Sequence, residues 1–370
     1  MTTLTSSAAT ADPSNLSTRS AVARTESSTP PLRPRVETAA RPRWLETRVV
    51  LLASWVAVGS TALVAGSLGV DRLLGPWLWV AAGLVVGLAH GACDAFDAPA
   101  KPARRLAWWV AYGGVIALML GLALLIPEAA LAGFLLLTAW HFGAADQHDL
   151  SDVETGKIMP IRRRWVAGFG RMGLFFGAMG VTQAGAVAEV GNEVGRFFTW
   201  RITPAFQEPD VMLFCGGLLV MGALAWTISE LTRWFGKGST RRTIVIDALE
   251  TIGLVGLAVW LDPLFAVGLY FLAWHAPRRI ARQWSDTPSL LGDARQRESV
   301  GRSVGLGLWR YHLRSAWLWL PIWPAWALWV CVAGEPERAT AWAAGLIALC
   351  VVLTPIHHFL GERREARRIQ

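Results

Sequence analysis

The chain has little to offer thiolate chemistry. Its 370 residues include four cysteines, Cys93, Cys215, Cys331 and Cys350, with no CxxC spacing and mostly inside apolar runs. Neither a disulfide framework nor a thiolate metal site is therefore expected. Acidic residues are missing from the centres of the long apolar runs, apart from Asp247 and Glu250 near the start of one. A cation path through a membrane would want them there, so ion transport is disfavoured. Paired His-x-x-His clusters are absent, which speaks against a membrane hydroxylase or desaturase, and no internal repeat is evident. Residues 1–43 are rich in Ser, Thr, Ala, Pro and Arg but lack an apolar h-region. They are neither a cleavable signal nor a folded module, and read as a disordered cytoplasmic tail.

What is abundant is apolar length. The chain is 53% hydrophobic with a mean hydropathy of +0.38, which places it among polytopic membrane proteins. A span needs roughly 20 apolar residues, or about 17 where a helix runs straight. Ten stretches qualify: 48–68, 76–93, 106–126, 128–143, 165–187, 211–231, 244–261, 263–278, 316–333 and 340–360. The expected fold is an all-α bundle of about ten transmembrane helices, with one membrane domain over 44–362. A long cytoplasmic or interfacial loop is expected at 276–315, where 304–309 could lie along the interface, and a basic tail at 363–370.

Charge supports that count. With the N-terminus inside and alternating loops, the inside segments hold 30 of the 35 Lys and Arg residues. The outside segments hold only Arg72, Arg196, Arg201 and Arg338, while Arg171 falls within a helix. This is the positive-inside pattern at every loop, with both termini cytoplasmic in the cell (inner) membrane. The arginines, Arg278 and Arg279 included, then read as topology determinants and headgroup contacts, and the basic pI is no sign of nucleic-acid binding.

The topology sorts the histidines. His90, His141, His275 and the pair His357–His358 close the second, fourth, eighth and tenth stretches, all running from outside to inside. They therefore share one depth near the cytoplasmic side, as ligands of a single metal centre would. His90 with Asp94 at i+4 and Asp97 at i+7 forms one helical stripe, and a carboxylate on a ligating imidazole fixes its tautomer. The plainer alternative makes Asp94 and Asp97 helix-end residues near the headgroups. Asp146 stands five residues after His141, so Gly143 is expected to break the helix and let Asp146 turn back towards His141. Adjacent histidines point apart, so at most one of His357 and His358 should face the centre, and His312 between arginines reads as interfacial. All-imidazole ligation suits Fe, Zn or Cu. Twenty-one tryptophans exceed the needs of interfacial belts, and many could line a cavity for a long apolar molecule. Oxygen chemistry on such a substrate fits best.

Three runs carry a resemblance: Gly-x-x-His-Gly-Ala-x-Asp from Gly87 to Asp94, Trp-His-Phe-Gly-x-x-Asp from Trp140 to Asp146, and Trp-His-x-x-Arg from Trp274 to Arg278. In this order on a polytopic chain they are similar to the Brp/Blh family of membrane β-carotene 15,15′-dioxygenases, over roughly 48–360. The resemblance implies cleavage of β-carotene by O2 into two retinal molecules at an Fe(2+) centre, often serving a rhodopsin, with membrane lipid as surroundings. His90, His141 and His275 match the family's proposed iron ligands. A further proposed ligand position is Arg279 here, which cannot bind iron. An active enzyme would need Arg279 turned to the headgroups and His357 or His358 to supply the missing nitrogen. The alternative is a carotenoid- or retinal-binding or rhodopsin-biogenesis protein on the same fold.

Overall fold

A computed structural model describes residues 43–91, 101–155, 160–199, 206–236, 241–280, 312–313, 316–333 and 335–369. The expected tail at 1–43 (all but its last residue), the interfacial segment 304–309, and Asp94, Asp97 and Cys93 lie outside them. The described residues are helical apart from short connections, with no strand among them.

The chain begins with α1 (Arg43–Leu68) and continues with α2 (Asp71–Ala81), a π-turn (Ala82–Gly87) and α3 (Leu88–Gly91), which follow one another without a break. Next come α4 (Pro102–Leu125), α5 (Pro127–Thr155), α6 (Ile161–Thr182) and α7 (Ala184–Thr199). Then follow α8 (Glu208–Phe235), α9 (Arg241–Trp260) and α10 (Pro263–Tyr270), the last running into a second π-turn (Phe271–His275) and a helical end at 276–280. The chain closes with α11 (Ile322–Ala333) and α12 (Ala339–Ile369), so the last helix continues through the basic residues after 362.

Each of the ten expected stretches is helical where described. Among the described residues, six helices are long and apolar enough to cross a membrane, with α11 counted from Ala316 to Ala333, or seven if α6 and α7, bent by 100°, form one span. The α2–α3 and α10–280 paths are interrupted by their π-turns, and the apolar part of α1 is shorter, at Leu52–Leu68. Helix α7 was not anticipated. It is too polar on one face to read as a span, yet it packs against α12 and the core.

Small residues bring the helices together, as they do where lipid leaves no hydrophobic force between them. Helices α5 and α6 touch backbone to backbone at Gly143 and Gly168, where a Cβ on either would collide with the other's main chain. Gly143 therefore joins two helices, and α5 runs through it without a break. Helices α6 and α8 approach in the same way at Gly173 and Gly222. Asp262 caps α10 by accepting from the N–H groups of Leu264 and Phe265, and its own N–H donates to Asp71 Oδ2 at 2.7 Å. Gly75 packs by Phe265, Trp79 by Gly268 and Gly87 by Phe271, so the two π-turn paths run parallel.

At the other end of the bundle from the histidines, ion pairs clamp α7 to the start of α12. Arg338 reaches Glu193 (2.7 Å) and Glu189 (3.1 Å), and Arg196 reaches Glu335 (2.9 Å). Glu193 beside it raises the pKa of Arg338 above its ordinary value.

Candidate metal centre

Each histidine reaches the centre by its own local device. His90 follows the first π-turn and His275 ends the second. Such turns recur at functional sites because they re-aim the residues beyond them. His141 sits mid-way along unbroken α5, and His357 and His358 follow Pro355, which cannot donate its backbone bond inside α12.

The five rings form one cluster, each at most 4% exposed. His90 and His357 have their Nε2 atoms 3.2 Å apart. Ring centroids lie 5.4 Å apart for His141 and His357, 5.9 Å for His90 and His275, and 6.0 Å for His141 and His275. His90, His141 and His357 each offer a nitrogen within 4.8 Å of the other two. Two nitrogens about 2.1 Å from one metal stand roughly 3.0–3.4 Å apart in octahedral or tetrahedral geometry. The His90–His357 separation has that value, and the third nitrogen makes this donor set one that fits a metal. His358, expected to face away if His357 faces the centre, lines the same cavity as His357 and stacks on His141 with centroids 4.3 Å apart.

Asp146 is where expectation and structure part. Because α5 is unbroken, Asp146 points away from His141. Its Oδ1 lies 3.8 Å from Nδ1 of His275, and its Oδ2 accepts from the Tyr270 hydroxyl (3.0 Å) and Trp274 Nε1 (3.2 Å). The carboxylate on the second motif thus serves the histidine of the third. Tyr270 escaped the sequence reading, although it is one of three tyrosines in the chain and stands in an apolar run.

The arginines also differ from expectation. Arg279 is buried at 1% exposure, close enough for its charge to act on the His141 ring, so it does not turn to the headgroups. Arg278, Arg233 and Arg164, assigned above to inside loops, are buried as well. Arg278 lies over the Trp274 ring at 3.8 Å and reaches Glu250 at 3.3 Å. Arg171 pairs closely with Glu250 and lies 3.4 Å from Asp247. Asp247 also accepts from Arg233 (2.5 Å) and Gln147 (2.8 and 2.9 Å), and Arg233 continues to Glu230 at 2.7 Å. Trp55 of α1 donates to Glu250 at 3.2 Å. This ionic network spans α1, α6, α8, α9 and the end of the α10 path, and adjoins Asp146 through Trp274. His312 places its Nε2 3.2 Å from the Val85 carbonyl, on the first π-turn.

His90, His141, His357 and His358 form one wall of a cavity of about 380 Å³. The remaining lining is apolar and aromatic, with Trp79, Trp108, Trp109 and Trp319 among it. Among the described residues, Cys215, Cys331 and Cys350 form no disulfide.

The model of a protein family described as beta-carotene 15,15'-dioxygenase matches residues 81–362. A protein of Halobacterium salinarum, described as probable beta-carotene 15,15'-dioxygenase Blh, is 28% identical over 336 residues, covering 86% of this chain and 92% of that protein. No solved structure matches the chain.

Proposed function

The chain belongs to the beta-carotene 15,15′-dioxygenase family, and from that premise we propose that it is a membrane carotenoid dioxygenase. It cleaves β-carotene at the central double bond with O2: that bond breaks, each carbon takes one oxygen atom, and two retinal molecules leave. The observation that carries this reading is three imidazole nitrogens within 4.8 Å of one another on the wall of an apolar cavity.

His90, His141 and His357 would hold the metal, His275, in the same ring cluster, would join them as a further ligand, and His358 stands beside them. Imidazole alone does not choose among Fe, Zn and Cu, but zinc has no redox chemistry, so oxidation by O2 favours ferrous iron. When bound, the metal supplies the oxygen activation that these side chains cannot. The rest falls to the chain. Phe142, 4.2 Å from the His275 ring, and Phe271 offer flat faces to the polyene. The apolar lining excludes water, which holds the substrate's reacting carbons against the histidine wall. Asp146 sets a negative charge 3.8 Å behind Nδ1 of His275, the side on which carboxylates stand behind metal-binding histidines. The substrate comes from the lipid of the cell membrane, and a retinal-using rhodopsin is the natural recipient of the product. The ten-span topology with both termini cytoplasmic belongs to the same reading. Reporter fusions after Glu128, Glu208 and Glu335 should all report the outside.

Expression in β-carotene-producing bacteria tests the activity. The expected result is loss of colour with retinal formation, abolished by His141→Ala, and iron in the purified protein. Persistent colour, with intact carotenoid co-purifying, would instead favour the binding protein, the reading to which the buried Arg279 lends weight.

A further inference from the structure

The cavity extends well beyond the histidines, along three helices at once. On α5 its lining runs from Leu131 to His141, on α12 from Ile347 to His357, and on the α10 path from Leu264 to the π-turn that ends in His275. Ten helical steps correspond to about 15 Å on α5 and on α12, at 1.5 Å per residue, while the α10 path lines about 10 Å, from Leu264 to Phe271. Two independent elements, α5 and α12, therefore give this arm one length. Its end wall is helix α7, which turns Val187, Val190 and Val194 to the cavity at helical spacing.

The opposite face of α7 explains why that wall would not yield. Glu189 and Glu193 bind Arg338, and Arg196 binds Glu335. Asn192 is tied to Phe206 by two hydrogen bonds of 2.8 and 2.9 Å. A short amphipathic helix thus stands across the arm, apolar towards the cavity and pinned behind. Away from α7 the lining is aromatic, with Trp108, Trp109 and Trp319.

We infer that α7 is the end stop of a molecular ruler, which sets the bond that is cleaved. This rests on the carotenoid-cleavage reading. From the central carbon of β-carotene to its terminal ring are nine bonds, roughly 11 Å at about 1.2 Å per bond of an extended chain. The ring itself fills the remaining few ångströms. One half of the substrate, with its ring against Val187 and Val190, places the central double bond at the histidines. The other half lies towards the tryptophans. Val187 and Val190 are thus specificity-determining residues, far from the reacting atoms.

The test measures product lengths by mass spectrometry from β-carotene incubated with the full-length purified protein. Wild type should give retinal alone. Val190→Phe shortens the arm by about one double-bond unit, since a phenyl reaches two to three ångströms beyond a valine. Retinal should fall at least about tenfold, and a carbonyl pair should appear with one fragment two carbons shorter and the other two carbons longer. Val187→Phe is a second route to the same change, should the first variant fail to fold, and Val187→Ala with Val190→Ala should give mixed products. If a folded Phe variant is inert on β-carotene, it should still cleave an apocarotenal with one shortened end. Failure on both substrates overturns the ruler, as does retinal alone at the wild-type rate from folded variants. No carbonyl product from the wild type would instead sink the cleavage reading itself.

Discussion

Two buried polar regions lie on either side of the helical end at 271–280, and they are built on opposite terms. The histidine cluster uses side chains that are stable uncharged, and it faces an apolar cavity. The network of Arg171, Arg233, Arg278, Asp247 and Glu250 consists of full charges and faces protein on all sides. One region gathers neutral nitrogen donors around one point; the other joins charges of opposite sign to one another. The same short segment serves both, since Phe271 lines the cavity and His275 joins the histidine cluster while Trp274 and Arg278 take the other side. The comparison teaches that the histidine cluster is held from behind by ion pairs that stand outside the cavity.

Breaking one ion pair should have the largest effect. Glu250→Ala strands Arg171 and Arg278 without their shared partner in a dry interior, which should cost about 3–5 kcal/mol of stability. Thermal unfolding in detergent reads this. Arg171→Met combined with Glu250→Leu removes one charge of each sign and should recover much of the loss. His141→Gln on the cavity side should act the other way round, abolishing metal binding while costing only about 1 kcal/mol of stability. Equal destabilisation by Glu250→Ala and His141→Gln would erase the distinction between the regions.

The joint between them is Asp146. Asp146→Asn keeps its size but loses the charge behind His275, so metal affinity should fall about 10- to 100-fold with the fold intact. A chelator competition titration measures it, and an unchanged affinity would detach the carboxylate from the centre. The smallest effect is expected at the exposed clamp on α7. Arg338 is 40% exposed, and Arg338→Ala should cost only about 0.2–1 kcal/mol, diminishing further in high salt.

Much of this was legible in the sequence. Helical class followed from apolar length, and the histidines stood out because polar groups at membrane depth are expensive. That all five share one layer followed from counting spans. The partner of Asp146 did not follow, because Gly143 looks like a helix breaker to a reader who cannot see Gly168 pressed against it. Arg278 and Arg279 were misplaced because charge counting assigns a residue to one end of a helix, not to its rim or its core. Arg171, Asp247 and Glu250 were each noticeable, but about 80 residues separate the first from the other two, and only the packing of α6 on α9 joins them. Helix α7 hid because a short amphipathic helix resembles a loop to any test for membrane spans.

The two π-turns bear on what the gene can tolerate. A π-turn accommodates one residue more than the α-helix it interrupts, so the loss of a single codon within 82–87 can be absorbed by closing the turn, leaving His90 facing as before. The segment from Ile347 to His357 has no such slack. Losing one codon there would swing His357 by about 100° around α12 and carry it off the wall. Insertions and deletions of the same size should therefore be survivable at one histidine and ruinous at another.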